Sequence, residues 1–332
     1  MEYLLTLVGF ILLIVGADVF VEGSSSIAKA LKIPSIIIGL TIVAFGTSMP
    51  EASVSINAAL AGENSLAVSN VVGSNIFNLL VVLGASALLC PVRSDPSAIK
   101  KEIPFSIIAA VVLGVLLFIN TTIAPGTVPS DGFFVRLSGS LFTLDRMGGA
   151  ILLLLFGFYM FWQIRGALKA RKQSKEQEIA EAPRMSVGLS VELIIIGLVG
   201  IILGGNMVVE NACIIAKNFG MSQTFIGLTI VAVGTSLPEL VTSMVAAGKG
   251  ESDLALGNVI GSNIFNIVFI LGFSALVSPM DVNIQTIYDI LFLVAVSLLG
   301  WGFAKSKQTV SRTEGGIMLA IYVAYFVYIL LR

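Results

Sequence analysis

Long runs of apolar residues, each long enough to cross a bilayer, alternate with short polar stretches from one end of the chain to the other. Ten such runs are expected to be membrane helices, at 3–28, 34–61, 66–90, 103–123, 147–166, 189–216, 223–247, 253–278, 284–304 and 314–331. The first, second, sixth and seventh are long and interrupted by Gly or Pro, which predicts bends. The first begins Met1-Glu2 without a basic leader or a small-residue cleavage site, so it reads as a membrane helix and not as a signal peptide. Only 165–184 is plainly soluble in pattern; it carries Arg165, Lys169, Arg171, Lys172, Lys175 and Arg184 with Glu176, Glu178 and Glu181. The expected organisation is a five-helix unit at 1–166, a linker at 167–188 and a second five-helix unit at 189–332.

The two units are related in sequence. Gly39 to Val92 and Gly227 to Met280 align without a gap at an offset of 188, with 32 identities over 54 positions. The same offset pairs Gly9 with Gly197, Glu22 with Glu210 and Lys29 with Lys217. Five helices per unit is an odd number, so equivalent helices cross in opposite directions. The expected fold class is therefore an all-α membrane protein of ten transmembrane helices in two inverted five-helix repeats.

Composition agrees: of 332 residues, 56% are hydrophobic and 12% charged, against about 25% charged in soluble proteins. Mean hydropathy is +0.99. Placing the linker in the cytoplasm puts Lys29, Lys32, Arg93, Lys100, Lys101, its own six basic residues, Lys249, Lys305, Lys307 and Arg312 on that side, and leaves Arg136, Arg146, Lys217 and Arg332 outside. Both termini then face outward. These nineteen are all the Lys and Arg of the chain, so none is left for the membrane interior. A net charge of −1 gives no reason to expect a nucleic-acid partner, and no feature of the chain points to a protein partner. Histidine is absent, and with no HExxH-like motif or nucleophile–base pair an intramembrane enzyme is set aside; no cofactor is expected. Cys90 and Cys213 lie near opposite faces and are expected to be packing residues.

Chemistry concentrates in two motifs, each present twice. Gly46-Thr47-Ser48-Met49-Pro50-Glu51 recurs as Gly234-Thr235-Ser236-Leu237-Pro238-Glu239. Each carboxylate falls mid-span, where an ionised group needs compensation. Each proline removes an N–H and frees carbonyls in 44–47 and 232–235 to point sideways. Thr47 and Ser48 share a helix face with Glu51, as Thr235 and Ser236 do with Glu239. All are hard oxygen donors, suited to Na⁺ and Ca²⁺. A kinked helix with a snorkelling glutamate would explain one copy; two copies at symmetric depth favour an ion site at the midplane. The second motif runs from Ser69 to Asn78 and from Gly257 to Asn266. Ser74 with Asn78, and Ser262 with Asn266, show one polar face per helix, either as ion ligands or as polar glue between helices. Asn70, Asn75, Asn258 and Asn263 point elsewhere and are expected to brace the bend. Asp18, Glu22 and Glu210 either line an access path or are interfacial; Asp18 is matched by Asn206 in the second unit, so symmetry does not require its charge.

These duplicated G-T-S-x-P-E and G-N-x-x-G-S-N-x-x-N motifs resemble the two alpha repeats of the calcium/cation antiporter superfamily, in its sodium/calcium exchanger branch. The resemblance covers both units. It implies an antiporter of the prokaryotic inner membrane that exchanges Ca²⁺ for Na⁺ by alternating access, with Ca²⁺ and Na⁺ as substrates and helices one and six as sliding gates. It maps ion ligands onto Glu51, Glu239, Thr47, Ser48, Thr235, Ser236, Ser74, Asn78, Ser262 and Asn266, with the carbonyls of Ala44 and Ala232. Ser69 departs from the motif's first Gly. Asn266 stands where potassium-dependent relatives carry Asp, which disfavours K⁺ cotransport. The remaining alternatives are a proton- or other-cation-coupled exchanger on the same scaffold, and a cation channel.

The basic-residue asymmetry generates a direct test. A cysteine introduced at Ser174 is expected to react only with reagent on the cytoplasmic side, and a tag after Arg332 only with reagent outside. Reaction of both from one side contradicts the inverted arrangement.

Overall fold

A computed structural model describes residues 1–122, 140–176, 185–221, 230 and 232–331. Its helices are α1 (Glu2–Leu31), α2 (Ser35–Thr47), α3 (Met49–Leu60), α4 (Asn64–Leu89), α5 (Ala98–Ile119), α6 (Arg146–Glu176), α7 (Val187–Asn218), α8 (Ala232–Thr235), α9 (Leu237–Gly248), α10 (Ser252–Val277), α11 (Ile284–Lys307) and α12 (Arg312–Leu331). Among the described residues eight are long and apolar enough to span a membrane, or nine if α2 and α3 form one span bent by 51°. This is fewer than the ten runs read from the sequence. The difference falls on the seventh run, 223–247: residues 222–229 and 231 lie outside the described residues, and α9 alone is too short. The protein is an integral membrane protein of apolar helices.

Two details differ from the expected outline. Helix α6 runs on to Glu176, past the expected end at 166, because the linker's basic residues continue a good helix-forming sequence. Short strands also occur between helices: β1 (Val92–Arg93) pairs antiparallel with β5 (Thr309–Val310), and β2 (Thr121–Thr122), β3 (Leu141–Leu144) and β4 (Met280–Val282) form a three-stranded sheet. They satisfy the backbone where chain segments leave the helices.

The helices sort into a core and a periphery. Of their most apolar windows, 78% in α4 and 83% in α10 is buried inside the protein, against 33% in α1 and 22% in α7. Hydropathy does not separate these groups, since α7 is more apolar than α10. The core is drawn together through small residues: Gly39 of α2 meets Gly257 of α10 so closely that a Cβ on Gly257 would stand 2.7 Å from the Ile36 carbonyl oxygen. Ser69, the counterpart of Gly257, is exposed, so its side chain fits there without such crowding.

Outside this core α1 and α7 pack along each other for most of their length. Gly9, Gly16 and Gly23 recur every seventh residue on α1, opposite Gly197 and Gly204 on α7, with Ser190 Oγ donating to Ser26 Oγ at 3.0 Å where the series continues. A Cβ on Gly197 would lie 2.5 Å from the Phe20 nitrogen, and one on Gly204 2.5 Å from the Leu13 nitrogen. The backbones are therefore in direct contact and the pair is a single two-helix plank. Its other faces carry exposed Leu4, Leu7, Ile11, Ile14, Ile195, Ile196 and Val199, as expected for lipid contact.

A paired carboxylate site between the two units

Each GTSxPE motif breaks its helix at the serine. Ser48 has φ −85° and ψ 9°, and Ser236 has φ −93° and ψ 7°. The proline that follows cannot donate, and a new helix starts there with Glu51 or Glu239 in its first turn. A carboxylate at that place meets the positive end of the helix dipole and unsatisfied N–H groups, which offsets part of the cost of burying it. The preceding helix ends with its carbonyls toward the same break, the negative end that suits a cation. The Ala44 carbonyl accepts the Ser48 N–H at 3.1 Å and the Thr47 hydroxyl at 3.5 Å, so it is less free than the proline alone predicts. Ala232 is the first residue of α8.

The two breaks meet. Ser48 Oγ donates to Glu239 Oε1 at 2.8 Å, and Ser236 Oγ donates to Glu51 Oε1 at 2.9 Å. Ser236 Oγ also lies 3.2 Å from Ser74 Oγ. Each unit's serine thus holds the other unit's carboxylate. Glu51, Glu239, Ser48, Ser236 and Thr47 are 0% exposed. The hydroxyl proton of Thr47 is shared between Asn258 Oδ1 at 3.0 Å and the Val43 carbonyl at 3.2 Å. Thr47 stands beside Glu239, as Thr235 does beside Glu51.

The second motif supplies two further layers. Asn75 Nδ2 donates to the Asn263 carbonyl at 3.1 Å, and Asn263 Nδ2 returns a bond to the Asn75 carbonyl at 3.3 Å. The side-chain oxygens of these two residues then accept the amides of the neighbouring pair: Asn78 Nδ2 donates to Asn263 Oδ1 at 3.2 Å, and Asn266 Nδ2 to Asn75 Oδ1 at 3.0 Å. With their N–H groups so engaged, Asn78 and Asn266 must point Oδ1 the other way. Asn70 and Asn258 tie down the helix after each break, donating to Ser55 Oγ and Ser243 Oγ at 2.9 Å each. π-helical turns at Asn78–Val82 and Phe265–Leu271 place Asn78 and Asn266 where helix geometry is already altered.

Among the described residues, a set of buried oxygens is left without partners: Glu51 Oε2, Glu239 Oε2, Asn78 Oδ1, Asn266 Oδ1 and Ser262 Oγ. Buried acceptors are almost always satisfied, so five in one pair of motifs need an explanation. Among the described residues no Lys or Arg pairs with either carboxylate. Every donor in the set is a hard oxygen, and two are negatively charged when ionised, the chemistry that a Na⁺ or Ca²⁺ ion completes.

Fold and site together define a polytopic helical membrane protein whose two sequence-related halves meet at a buried pair of carboxylates. A model of the sodium/calcium exchanger protein family matches residues 1–165 and 189–331, and the chain belongs to that family. It is 36% identical over 308 residues to the inner membrane protein YrbG of Escherichia coli, covering 90% of this chain and 88% of that one. It is 33% identical over 341 residues to the sodium/calcium exchanger MaX1 of Methanosarcina acetivorans, covering 98% and 97%. Among solved structures it is similar to the sodium-calcium exchanger NCX_Mj, with a TM-score of 0.80 at 32% identity over 98% of both chains. The family is one of transporters.

Within this asparagine layer, Asn75 and Asn263 were read from the sequence as bracing, and Asn78 and Asn266 as ion ligands or polar glue. The layer's reciprocal pairing across the units was missed; the signal for it was the identity of all four asparagines at the same offset. Replacing Asn263 by Ala removes one acceptor and one donor from this layer, leaving the Asn78 amide and the Asn75 carbonyl short of partners. We expect a loss of about 1–3 kcal/mol in thermal or chemical unfolding, accompanied by weaker equilibrium Ca²⁺ binding even though Asn263 offers no free oxygen. Unchanged Ca²⁺ affinity in a folded variant contradicts the orienting role.

Proposed function

We propose that this chain is a secondary antiporter that exchanges Ca²⁺ for Na⁺ by alternating access. In this reading ten transmembrane segments form two inverted five-helix repeats, 1–166 and 189–332, joined by a cytoplasmic linker at 167–188, in the inner membrane of a prokaryotic cell. The count of ten takes the segment ending in α8 and α9 as a full span. The inner-membrane assignment draws support from the relative described as an inner membrane protein, and the Na⁺/Ca²⁺ assignment from relatives described as sodium/calcium exchangers.

The observation that carries the reading is the reciprocal holding of Glu51 and Glu239, each with one oxygen unpartnered among the described residues. Two ionised carboxylates give the empty site a charge of −2, which one Ca²⁺ neutralises. The hydroxyl and amide oxygens of Thr47, Ser48, Ser74, Asn78 and their counterparts Thr235, Ser236, Ser262 and Asn266, with the Ala44 and Ala232 carbonyls, offer further ligands that several Na⁺ can divide among themselves. One divalent ion or several monovalent ions then compete for overlapping oxygens. Antiport follows because neither load is bound together with the other.

The test is ⁴⁵Ca²⁺ uptake into Na⁺-loaded proteoliposomes diluted into Na⁺-free medium. Uptake should require the outward Na⁺ gradient, and external Na⁺ should inhibit it with a Hill coefficient above one. Uptake driven equally well by a proton gradient without Na⁺, or a non-saturating flux without countertransport, overturns the assignment in favour of a proton-coupled exchanger or a channel.

A further inference from the structure

The two sides of the α1–α7 plank are not alike. On one side a cavity of about 510 Å³ separates α7 from α3; Met49, Ser53, Asn206 and Glu210 line it, and it reaches Thr235 beside Glu51. On the other side α1 packs directly on α9. There Lys249, just past the end of α9, reaches back to α1: its Nζ lies 2.7 Å from Asp18 Oδ1, 3.1 Å from the Asp18 carbonyl oxygen and 3.9 Å from Glu22 Oε2.

The internal repeat supplies a control for this contact. At the offset of 188 the counterparts of Asp18, Glu22 and Lys249 are Asn206, Glu210 and Ala61. The open side therefore has one carboxylate where the closed side has two, and alanine where the closed side has an ammonium group. Asn206 and Glu210 line the cavity, and among the described residues Glu210 forms no ion pair. The side that owns the lysine is shut and the side that lacks it is open.

The glycine seam transmits the difference. Because the backbones of α1 and α7 touch at Gly197 and Gly204, holding α1 against α9 also fixes where α7 stands relative to α3. We propose that Lys249 is a positioning residue of the exchange cycle: its contacts with Asp18 and Glu22 latch the plank onto α9 and favour the state in which the site is reached between α7 and α3. This rests on the alternating-access reading above. The side chains of Lys249 and Asp18 are 33% and 49% exposed, so the latch biases an equilibrium and does not lock it. A permanent lock would stop the cycle, whereas a modest bias sets which face the empty transporter offers first.

Cysteine labelling tests this without ion flux. With Cys90 and Cys213 replaced by Ser, single cysteines are placed at Thr242, which is 1% exposed on α9, and at its counterpart Val54, which lines the cavity. In Lys249→Gln, reaction of Thr242→Cys with a polar maleimide is expected to accelerate roughly two- to fivefold, the range for a partly exposed ion pair, while that of Val54→Cys slows. Lys249→Arg, which keeps the charge, should restore both rates. No change at Thr242→Cys, or acceleration at both positions together as in general loosening, overturns the latch. If Na⁺-driven Ca²⁺ exchange fails while the opposed rates hold, the proposed function falls and the latch stands; if the rates do not move while exchange persists, the reverse is true.

Discussion

Two carboxylates buried in a lipid-embedded protein, with no basic residue paired to them among the described residues, are the constraint on which the rest depends. Taking an ionised group out of water costs several kcal/mol even after relaxation, and a second like charge nearby adds to it. The chain offsets part of this with fixed dipoles. Each glutamate sits in the first turn of a helix that starts only because the preceding serine and proline break the previous one. Each receives a hydroxyl proton from the opposite unit's serine. Neither device supplies positive charge, so a cation remains the missing counterpart. The same arrangement explains why the motifs are duplicated: each unit builds half of the other's site.

That shared site sits in a core held by small residues and amides, while the α1–α7 pair lies outside it as a separate body. Glycines bring backbone against backbone at α2–α10 and along the plank's own seam, whereas between core and plank Gly46 and Gly234 meet side chains, those of Leu198, Phe20 and Val209. The plank meets the core through α9 on one side and stands off α3 on the other. On the proposed alternating-access reading, the plank is the element that would expose the same ligands to one face at a time.

Much of this was legible in the sequence because membranes impose simple rules. Span length follows from bilayer thickness, and the repeat offset ties Glu51 to Glu239 before any coordinates are known. The break at Ser48 was foreshadowed by Pro50. Other features were out of reach of such rules. The short strands depend on where loops happen to meet, and the extension of α6 to Glu176 runs through a polar stretch that reads as linker. The state of the Ala44 carbonyl depends on the Ser48 N–H and the Thr47 hydroxyl, bonds that a proline two positions past Ser48 does not remove. Lys249 sits in a loop far in sequence from Asp18, and no periodicity links them; the sequence placed it only among the basic residues of the cytoplasmic side.

The central claim is that Glu51 and Glu239 serve one cation site and not two. Equilibrium ⁴⁵Ca²⁺ binding to purified wild type, Glu51→Gln, Glu239→Gln and the double variant tests it most directly. The account predicts one Ca²⁺ per wild-type chain, near-complete loss in either single variant, and no further loss in the double variant, because either substitution leaves the shared site with a single carboxylate. Two Ca²⁺ per wild-type chain, with one retained at full affinity in each single variant and both lost only in the double variant, would contradict it.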